Sequence, residues 1–494
     1  MLENRNVNNR CELDTPLSQK VGKGLIWVSA NTVCGVSLHL LSSVILARLL
    51  VPSDFGVMAI VMAIIAITQG TLTAGFESAL IQKQKKPEAF LNTAWTLDLI
   101  RCLILCLVVY AAAPLVGVYF DESRTTQVLR VMSVFFIFQG LRNIGVVYFR
   151  KNLEFHKQFI IETLPLLVDV CLAIPLAYIL KSYWALVWSK LAMSSAACML
   201  SYVMHPYRPR LEFDLKKVKE LFNFGRWILF SSLIVTLREQ GVNMFVGKLF
   251  GIFFLGLYER ATVFSLRLFT LIIKIVWKVA YPTYSKIQDE PAKISKAFLE
   301  TQQVLAFFIM PMAAALFVLS NDFVTLILGP KWIQMVSLIQ FFSLHAIVSA
   351  ITAPVAIACQ ALGKPYISTK FSFIGLIVLA LILYPFSKWW GITGTAAAFF
   401  TSTLLSAPFL WTVALKLFNY SFLQLANGLL LPILNTTLML CVIHILKYHI
   451  YKTVNILDFI FLITMASLCY LISSFFLERY YKIGAMSIIK SRFF

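Results

Sequence analysis

Arg260, Arg267, Lys274 and Lys278 are spaced 7, 7 and 4 residues apart. At 100° per residue an α-helix brings all four within roughly 40° of one another. The run from Ala261 to Tyr281 is otherwise apolar enough to enter a bilayer. A charge inside a membrane costs about 2.5–3.5 kcal/mol on insertion scales, so four in one stripe need water or partners. A cationic interior surface suits an anionic cargo or an anionic lipid, which arginine grips bidentately and lysine as a point charge. A second reading has Lys274 and Lys278 near the cytoplasmic end of the helix, snorkelling to lipid phosphates. That reading suits Lys278 better. The cavity suits Arg267 and Lys274 better, and Arg260, near the external end, fits either.

Other charges sit within apolar runs. Arg238 lies in Leu237-Arg238-Glu239-Gln240, a cluster too polar for a lipid face. Adjacent residues point about 100° apart, so one of Arg238 and Glu239 is expected in a cavity and the other on a neighbouring helix. Arg142 is flanked by Gln139 and Asn143. Arg101 has Asp98 at i−3, which reads as an internally neutralised pair. Lys190 stands alone and has no assigned role. The candidate substrate-binding set is therefore Arg267, Lys274, Arg260, Arg238, Arg142 and Arg101. A transporter driven by Na⁺ or H⁺ also needs a carboxylate. Of Glu77, Glu162, Asp169 and Glu239, the coupling candidates are Asp169 and Glu239, with pairing to a cavity arginine as the structural alternative. His39 and His345 read as hydrogen-bonded structural groups more readily than as proton relays.

No catalytic, metal or cofactor set accompanies them. Cys102 and Cys106 are i,i+4 neighbours, but no histidine or carboxylate completes a metal site, so they read as buried thiols. Asp121 and Glu122 lie in a loop of about ten residues, too short to build a sugar site, and Asp54 sits in a Pro-x-Asp turn.

The elements that position these residues follow from composition. Of 494 residues 59% are hydrophobic and 13% charged, against about 25% charged in soluble domains. This is an all-α polytopic membrane protein. The net charge of +20 is scattered over short loops, as topology signals are, so nucleic acid is excluded as a partner. Runs of about 20 apolar residues place fourteen spans at 24–47, 56–81, 93–118, 128–149, 160–180, 183–204, 221–247, 254–281, 302–328, 334–361, 366–386, 390–415, 427–447 and 456–477. The N-terminus, even-numbered loops and C-terminal tail hold 25 Lys and Arg against 8 in the odd-numbered loops, which puts both termini in the cytoplasm. The first 23 residues lack a signal-peptide pattern. The expected organisation is a cytoplasmic segment 1–23, a lobe of spans one to six at 24–204, a linker at 205–220, a lobe of spans seven to twelve at 221–415, two extra spans at 416–477 and a cytoplasmic tail at 478–494. Prolines within spans, above all Pro165 and Pro175 in span five, mark helices that bend.

An internal repeat appears at an offset of 200: Arg48-Leu49 through Gly56 lies over Lys248-Leu249 through Gly256, and Trp27 lies over Trp227. An even offset of six spans implies parallel repeats with a substrate site at their interface.

Several segments carry a family resemblance: Gly24-Leu25-Ile26-Trp27, Ala47-Arg48-Leu49-Leu50 with Pro52, Asp54, Phe55 and Gly56, Tyr148-Phe149-Arg150-Lys151, Leu255-Gly256-Leu257-Tyr258, and Pro282 with Tyr284-Ser285-Lys286. With these the chain resembles the polysaccharide transporters, Wzx-type flippases of the multidrug/oligosaccharidyl-lipid/polysaccharide exporter superfamily, and among them colanic-acid-type exporters. The resemblance covers about 20–415. It implies two six-helix lobes around a central cavity plus two C-terminal helices. It also implies alternating access that carries undecaprenyl-diphosphate-linked oligosaccharide across the bacterial inner membrane, alongside membrane lipids and other polysaccharide assembly proteins. A multidrug or cation exporter of the same superfamily would require an acidic, aromatic cavity, which the excess of interior cations opposes. A glycan polymerase or ligase would require a large external loop, and none is present.

Overall fold

Helices make up every regular element among the described residues of the computed structural model, which are 17–72, 88–152, 154–214, 236–418, 420–447 and 455–481. Glu77 and Arg226 lie outside them. The helices are α1 (Leu17–Leu49), α2 (Pro52–Leu72), α3 (Glu88–Tyr119), α4 (Ser123–Met132), α5 (Val134–Leu141), α6 (Val147–Lys151), α7 (Phe155–Leu180), α8 (Trp184–Met204), α9 (236–250), α10 (Ile252–Lys286), α11 (Pro291–Val318), α12 (Val336–Ala361), α13 (Pro365–Phe418), α14 (Phe422–Ile445) and α15 (Ile456–Tyr481).

Among the described residues ten helices are long and apolar enough to cross a membrane. Four places separate that number from the fourteen expected spans. The segment 128–149 is broken: Arg142 and Asn143 leave helical geometry with ψ of 137° and 113°. There the Asn143 side chain accepts from Gly145 N and its backbone N donates to Ser201 Oγ, local bonds that compete with a continuing helix. Segments 366–386 and 390–415 are two helices joined without a loop, so that they run on as one element, α13. They meet at Gly391, whose φ of 60° and ψ of −143° only glycine adopts readily, and Ser387 Oγ lies 3.1 Å from Thr395 Oγ1 across the turn. The third is α10, long enough at 35 residues but made less apolar by its own cations. The last, 221–247, lies mostly on residues not described.

Turn chemistry fixes several helix ends. Pro52 opens α2 at a position where its missing N–H costs nothing, and Asp54 Oδ2 accepts from Val51 N at 3.3 Å. Glu122 caps α4 by accepting from Arg124 N, and Ser421 with Gln424 forms a capping box at the start of α14.

Two groups of helices pack mainly within themselves: α1, α7 and α8 with α3 to α5, and α10 to α13, onto which α14 and α15 dock through α11. Tyr470 OH donates to Phe307 O at 2.9 Å and Asn435 Nδ2 to Ser474 Oγ at 2.9 Å, tying the last two helices down. The groups meet chiefly where α2 crosses α10. The crossing is reciprocal. A Cβ on Gly56 would collide with the Ile252 carbonyl, and one on Gly256 with the Pro52 carbonyl, positions related by the offset of 200. Around it, Arg48 of α1 donates to the Ile327 carbonyl at 2.8 Å and to that of Leu326. In return Lys331 Nζ donates to the Leu50 and Arg48 carbonyls at 2.6 and 2.9 Å, and the buried Trp332 indole to Ala47 O at 2.9 Å. Cations thus meet the carbonyl-rich C-termini of helices across the junction, where the dipole favours them.

Candidate functional site

Beneath that junction lies a cavity of about 880 Å³. It is walled by α1, α2, α7, α8, α9, α10 and α12, with Phe399 of α13 at its edge. The seven-residue spacing on α10 turns Arg260, Arg267 and Lys274 into it, while Leu255, Leu257, Ala261 and Phe264 of the same helix are buried in protein. Lys278, the fourth member of the stripe, does not line it: its Nζ donates to Thr32 Oγ1 of α1 at 2.6 Å.

The three lining cations differ in their freedom. Arg260 is buried and committed. Its Nε donates to Glu259 Oε2 at 2.5 Å and its Nη1 to Ser43 Oγ at 3.3 Å, and its guanidinium lies 4.5 Å from the Phe55 ring centroid. Arg267 opens into the cavity and places Nη1 2.5 Å from His39 Nε2. Lys274 is exposed there and has no hydrogen-bond or ion-pair partner among the described residues. The electropositive focus is therefore Arg267 and Lys274, the two residues that the sequence placed most firmly in a cavity.

Carboxylates share the wall. Asp169 of α7 receives Lys190 Nζ of α8 at 2.5 Å through Oδ2, while its Oδ1 is buried without a partner among the described residues. Glu239 of α9 is exposed in the cavity. With Glu259 the lining holds three carboxylates against four cations, a nearer balance than the excess of interior cations in the sequence suggested. Two carboxylates are matched to Lys190 and Arg260, so Glu239 alone faces the freer pair.

Three candidates lie elsewhere. Arg101 is held by Asp98 at 2.5 Å within α3. Arg142 follows α5 as its C-cap, with its Nε buried. Arg238 points away from its neighbour Glu239, as the 100° step requires. It donates to Thr403 Oγ1 at 3.1 Å and lies over Phe399 at 5.6 Å, with Gly375 leaving room for the guanidinium. None of the three lines the cavity. The Asp121-Glu122 pair is structural: Asp121 meets Lys248 at 2.9 Å, and Glu122 grips Arg124 at 2.8 Å.

Sequence reasoning missed Glu259, Lys190 and His39 as members of the site. The only local signal for Glu259 was its adjacency to Arg260. Lys190 gains its partner from a residue 21 positions earlier, and His39 from one 228 later, so only tertiary structure reveals either.

The sequence and the fold have counterparts. A model of the "Polysaccharide biosynthesis protein" family matches residues 45–337. The chain is 23% identical over 465 residues to an uncharacterized membrane protein in the cps region of Klebsiella pneumoniae, covering 93% of this chain and 95% of that one. It is 23% identical over 419 residues to the lipopolysaccharide biosynthesis protein WzxC of Escherichia coli, covering 84% and 85%. Among solved structures it resembles the lipid II flippase MurJ in an inward closed conformation, with a TM-score of 0.76 at 16% identity over 93% of this chain and 99% of that one. It also resembles an inward-facing MATE-family multidrug resistance transporter of the MOP superfamily, with a TM-score of 0.63 at 15% identity over 78% and 96%. Over more than half of its length, including the α2–α10 crossing and the stripe on α10, the chain matches one family, and it belongs to the polysaccharide biosynthesis proteins.

Proposed function

We propose that this protein is a flippase that carries a lipid-linked oligosaccharide, with undecaprenyl diphosphate as the carrier, across the bacterial inner membrane by alternating access for surface polysaccharide synthesis. The observation that carries the reading is the cavity with Arg267 and Lys274 unneutralised in its wall, roofed by the reciprocal α2–α10 junction. Two cations without a carboxylate partner suit a diphosphate, and an apolar surround lets the lipid tail remain in the bilayer. The names of WzxC and MurJ, a lipopolysaccharide biosynthesis protein and a lipid II flippase, support the same class of cargo.

In this reading spans one to six and seven to twelve form two repeat-related lobes, 24–204 and 221–415, joined by the linker 205–220. Spans thirteen and fourteen bring the total to fourteen, and both termini are cytoplasmic. The contact of Gly56 with Ile252 and of Gly256 with Pro52 supports the pseudo-twofold relation, and the positive-inside count supports the orientation. Glu239 is the carboxylate best suited to ion coupling, since it is exposed and uncommitted, whereas Asp169 is held by Lys190. Glu239 is also what a cation exporter of this fold would use, so the same residue defines the competing reading.

The test is complementation of a flippase-deficient bacterium that makes an acidic surface glycan. Wild type is expected to restore export. Arg267→Ala and Lys274→Ala, expressed at equal levels, are expected to lower it about ten- to 150-fold, the worth of one charge-assisted hydrogen bond of about 1.5–3 kcal/mol. A wild type that restores no lipid-linked glycan but confers resistance to cationic drugs, lost in Glu239→Gln, would replace this function with cation export.

A further inference from the structure

His39 of α1 contacts both cationic systems of α10. Its Nε2 lies 2.5 Å from Arg267 Nη1, and its Nδ1 lies 3.2 Å from Ser43 Oγ, which also accepts from Arg260 Nη1 at 3.3 Å. A guanidinium has five N–H donors and no acceptor. Nε2 must therefore present its lone pair to Arg267, and a neutral ring with that lone pair carries its proton on Nδ1, which donates to Ser43. The direction of every bond is fixed: Arg260 to Ser43, His39 to Ser43, Arg267 to His39. A doubly protonated ring would aim an N–H at a group that offers only N–H. The Arg267–His39 bond and a protonated His39 exclude each other.

The charged groups that share the cavity with this ring are Arg260 with Glu259, Lys190 with Asp169, Arg267 and Lys274, and Glu239, four cations to three carboxylates. An added proton on His39 has no dedicated carboxylate to meet. A diphosphate changes that: it is a stronger acceptor for Arg267 than an imidazole is, and its charge favours a cation beside it.

Resting on the reading of the cavity as the path of an anion, we propose that His39 is a positioning residue that holds Arg267 in the empty cavity and hands it to the cargo's diphosphate. On handover the bond from Arg267 to Nε2 breaks, Arg267 bonds a phosphate oxygen, and the freed Nε2 takes one proton from water on the side to which the cavity is open. Release reverses each step: the proton leaves and Arg267 returns. His39 also joins the two helix groups, so the handover removes a bond between α1 and α10 at the moment the cavity fills.

The test is calorimetric titration of the purified full-length protein with undecaprenyl diphosphate bearing no sugar, in two buffers of different ionisation enthalpy. Proton uptake of up to one per diphosphate is expected, with affinity rising by up to tenfold per pH unit as the pH falls. His39→Gln, whose side-chain oxygen still accepts from Arg267, is expected to lose the buffer dependence and the pH slope whatever its affinity. Histidine-selective ¹⁵N NMR of wild type, practicable with six histidines, checks the same point without a variant. The ring of His39 should change from the Nδ1–H tautomer to imidazolium on adding diphosphate. Binding with no proton uptake, or uptake unchanged in His39→Gln, overturns the handover and leaves the flippase reading intact. No binding of undecaprenyl diphosphate to wild type overturns both.

Discussion

Each cation around the cavity is defined by what holds it. Lys190 is gripped by Asp169 at 2.5 Å, Arg260 by Glu259, Ser43 and the Phe55 ring, and Arg267 by a single histidine nitrogen. Breaking a buried ion pair by removing one partner costs up to about 3–5 kcal/mol, and less where one side faces a wet cavity, as here. Asp169→Asn alone is therefore expected to lower the thermal midpoint in detergent and to reduce export through instability. The double variant Asp169→Asn/Lys190→Gln is expected to regain most of both, because no charge is left stranded. A double variant with wild-type stability and no export would instead make Asp169 the coupling carboxylate. These pairings also mark the reach of the sequence. The α10 stripe was legible because helical periodicity alone brings residues 260, 267 and 274 onto one face. The divergence of Arg238 from Glu239 was legible for the same reason. Which other helix each side chain meets depends on packing between elements far apart in the chain, and so Arg142 and Arg238 were placed in a cavity that they do not reach.

Hydropathy located the long helices at the level of elements but could not see how they break. Ile144 to Phe149 reads as a continuation of span four, yet Asn143 bonds to Gly145 N, Ser201 Oγ, Tyr207 O and His205 O, local and tertiary bonds that compete with a continuing helix. Conversely, the loop expected between spans eleven and twelve is nearly absent, because Gly391 turns α13 in one residue, with Trp389 and Trp390 exposed beside it where a membrane interface favours aromatics. Gly391→Ala is expected to cost about 1–3 kcal/mol, since a Cβ strains a backbone at φ 60° whatever space surrounds it. Nothing lies within 4 Å of the added atom, so the loss measured in a thermal or denaturant melt reports backbone strain alone. Gly363→Ala, also at positive φ (70°) and equally open, is the matched control for a strained turn outside α13.

For the molecule as a whole, the arrangement is one of two helix groups that touch firmly at the α2–α10 junction and stand apart around the cavity below it. The seal depends on backbone contact at Gly56 and Gly256, reinforced by Arg48, Lys331 and Trp332 reaching across to helix carbonyls. In the proposed orientation, with both termini cytoplasmic and this junction on the external side, a cavity residue should be reachable from the cytoplasm and shielded from outside. Thr270 lines the cavity and is exposed in it. In a background with the nine native cysteines replaced, Thr270→Cys is expected to react with a membrane-impermeant maleimide in inverted vesicles and to be protected in right-side-out cells. Adding Gly56→Leu forces a side chain into the Ile252 carbonyl, an overpacking cost of about 1–3 kcal/mol borne by the sealed state alone. That shifts the balance toward the externally open state about five- to 150-fold, so labelling from outside should rise while labelling from inside falls. Protection from both sides in the parent variant, or labelling unmoved by the leucine, would mean that the junction is a static brace, and the moving seal would have to lie at the other end of α10.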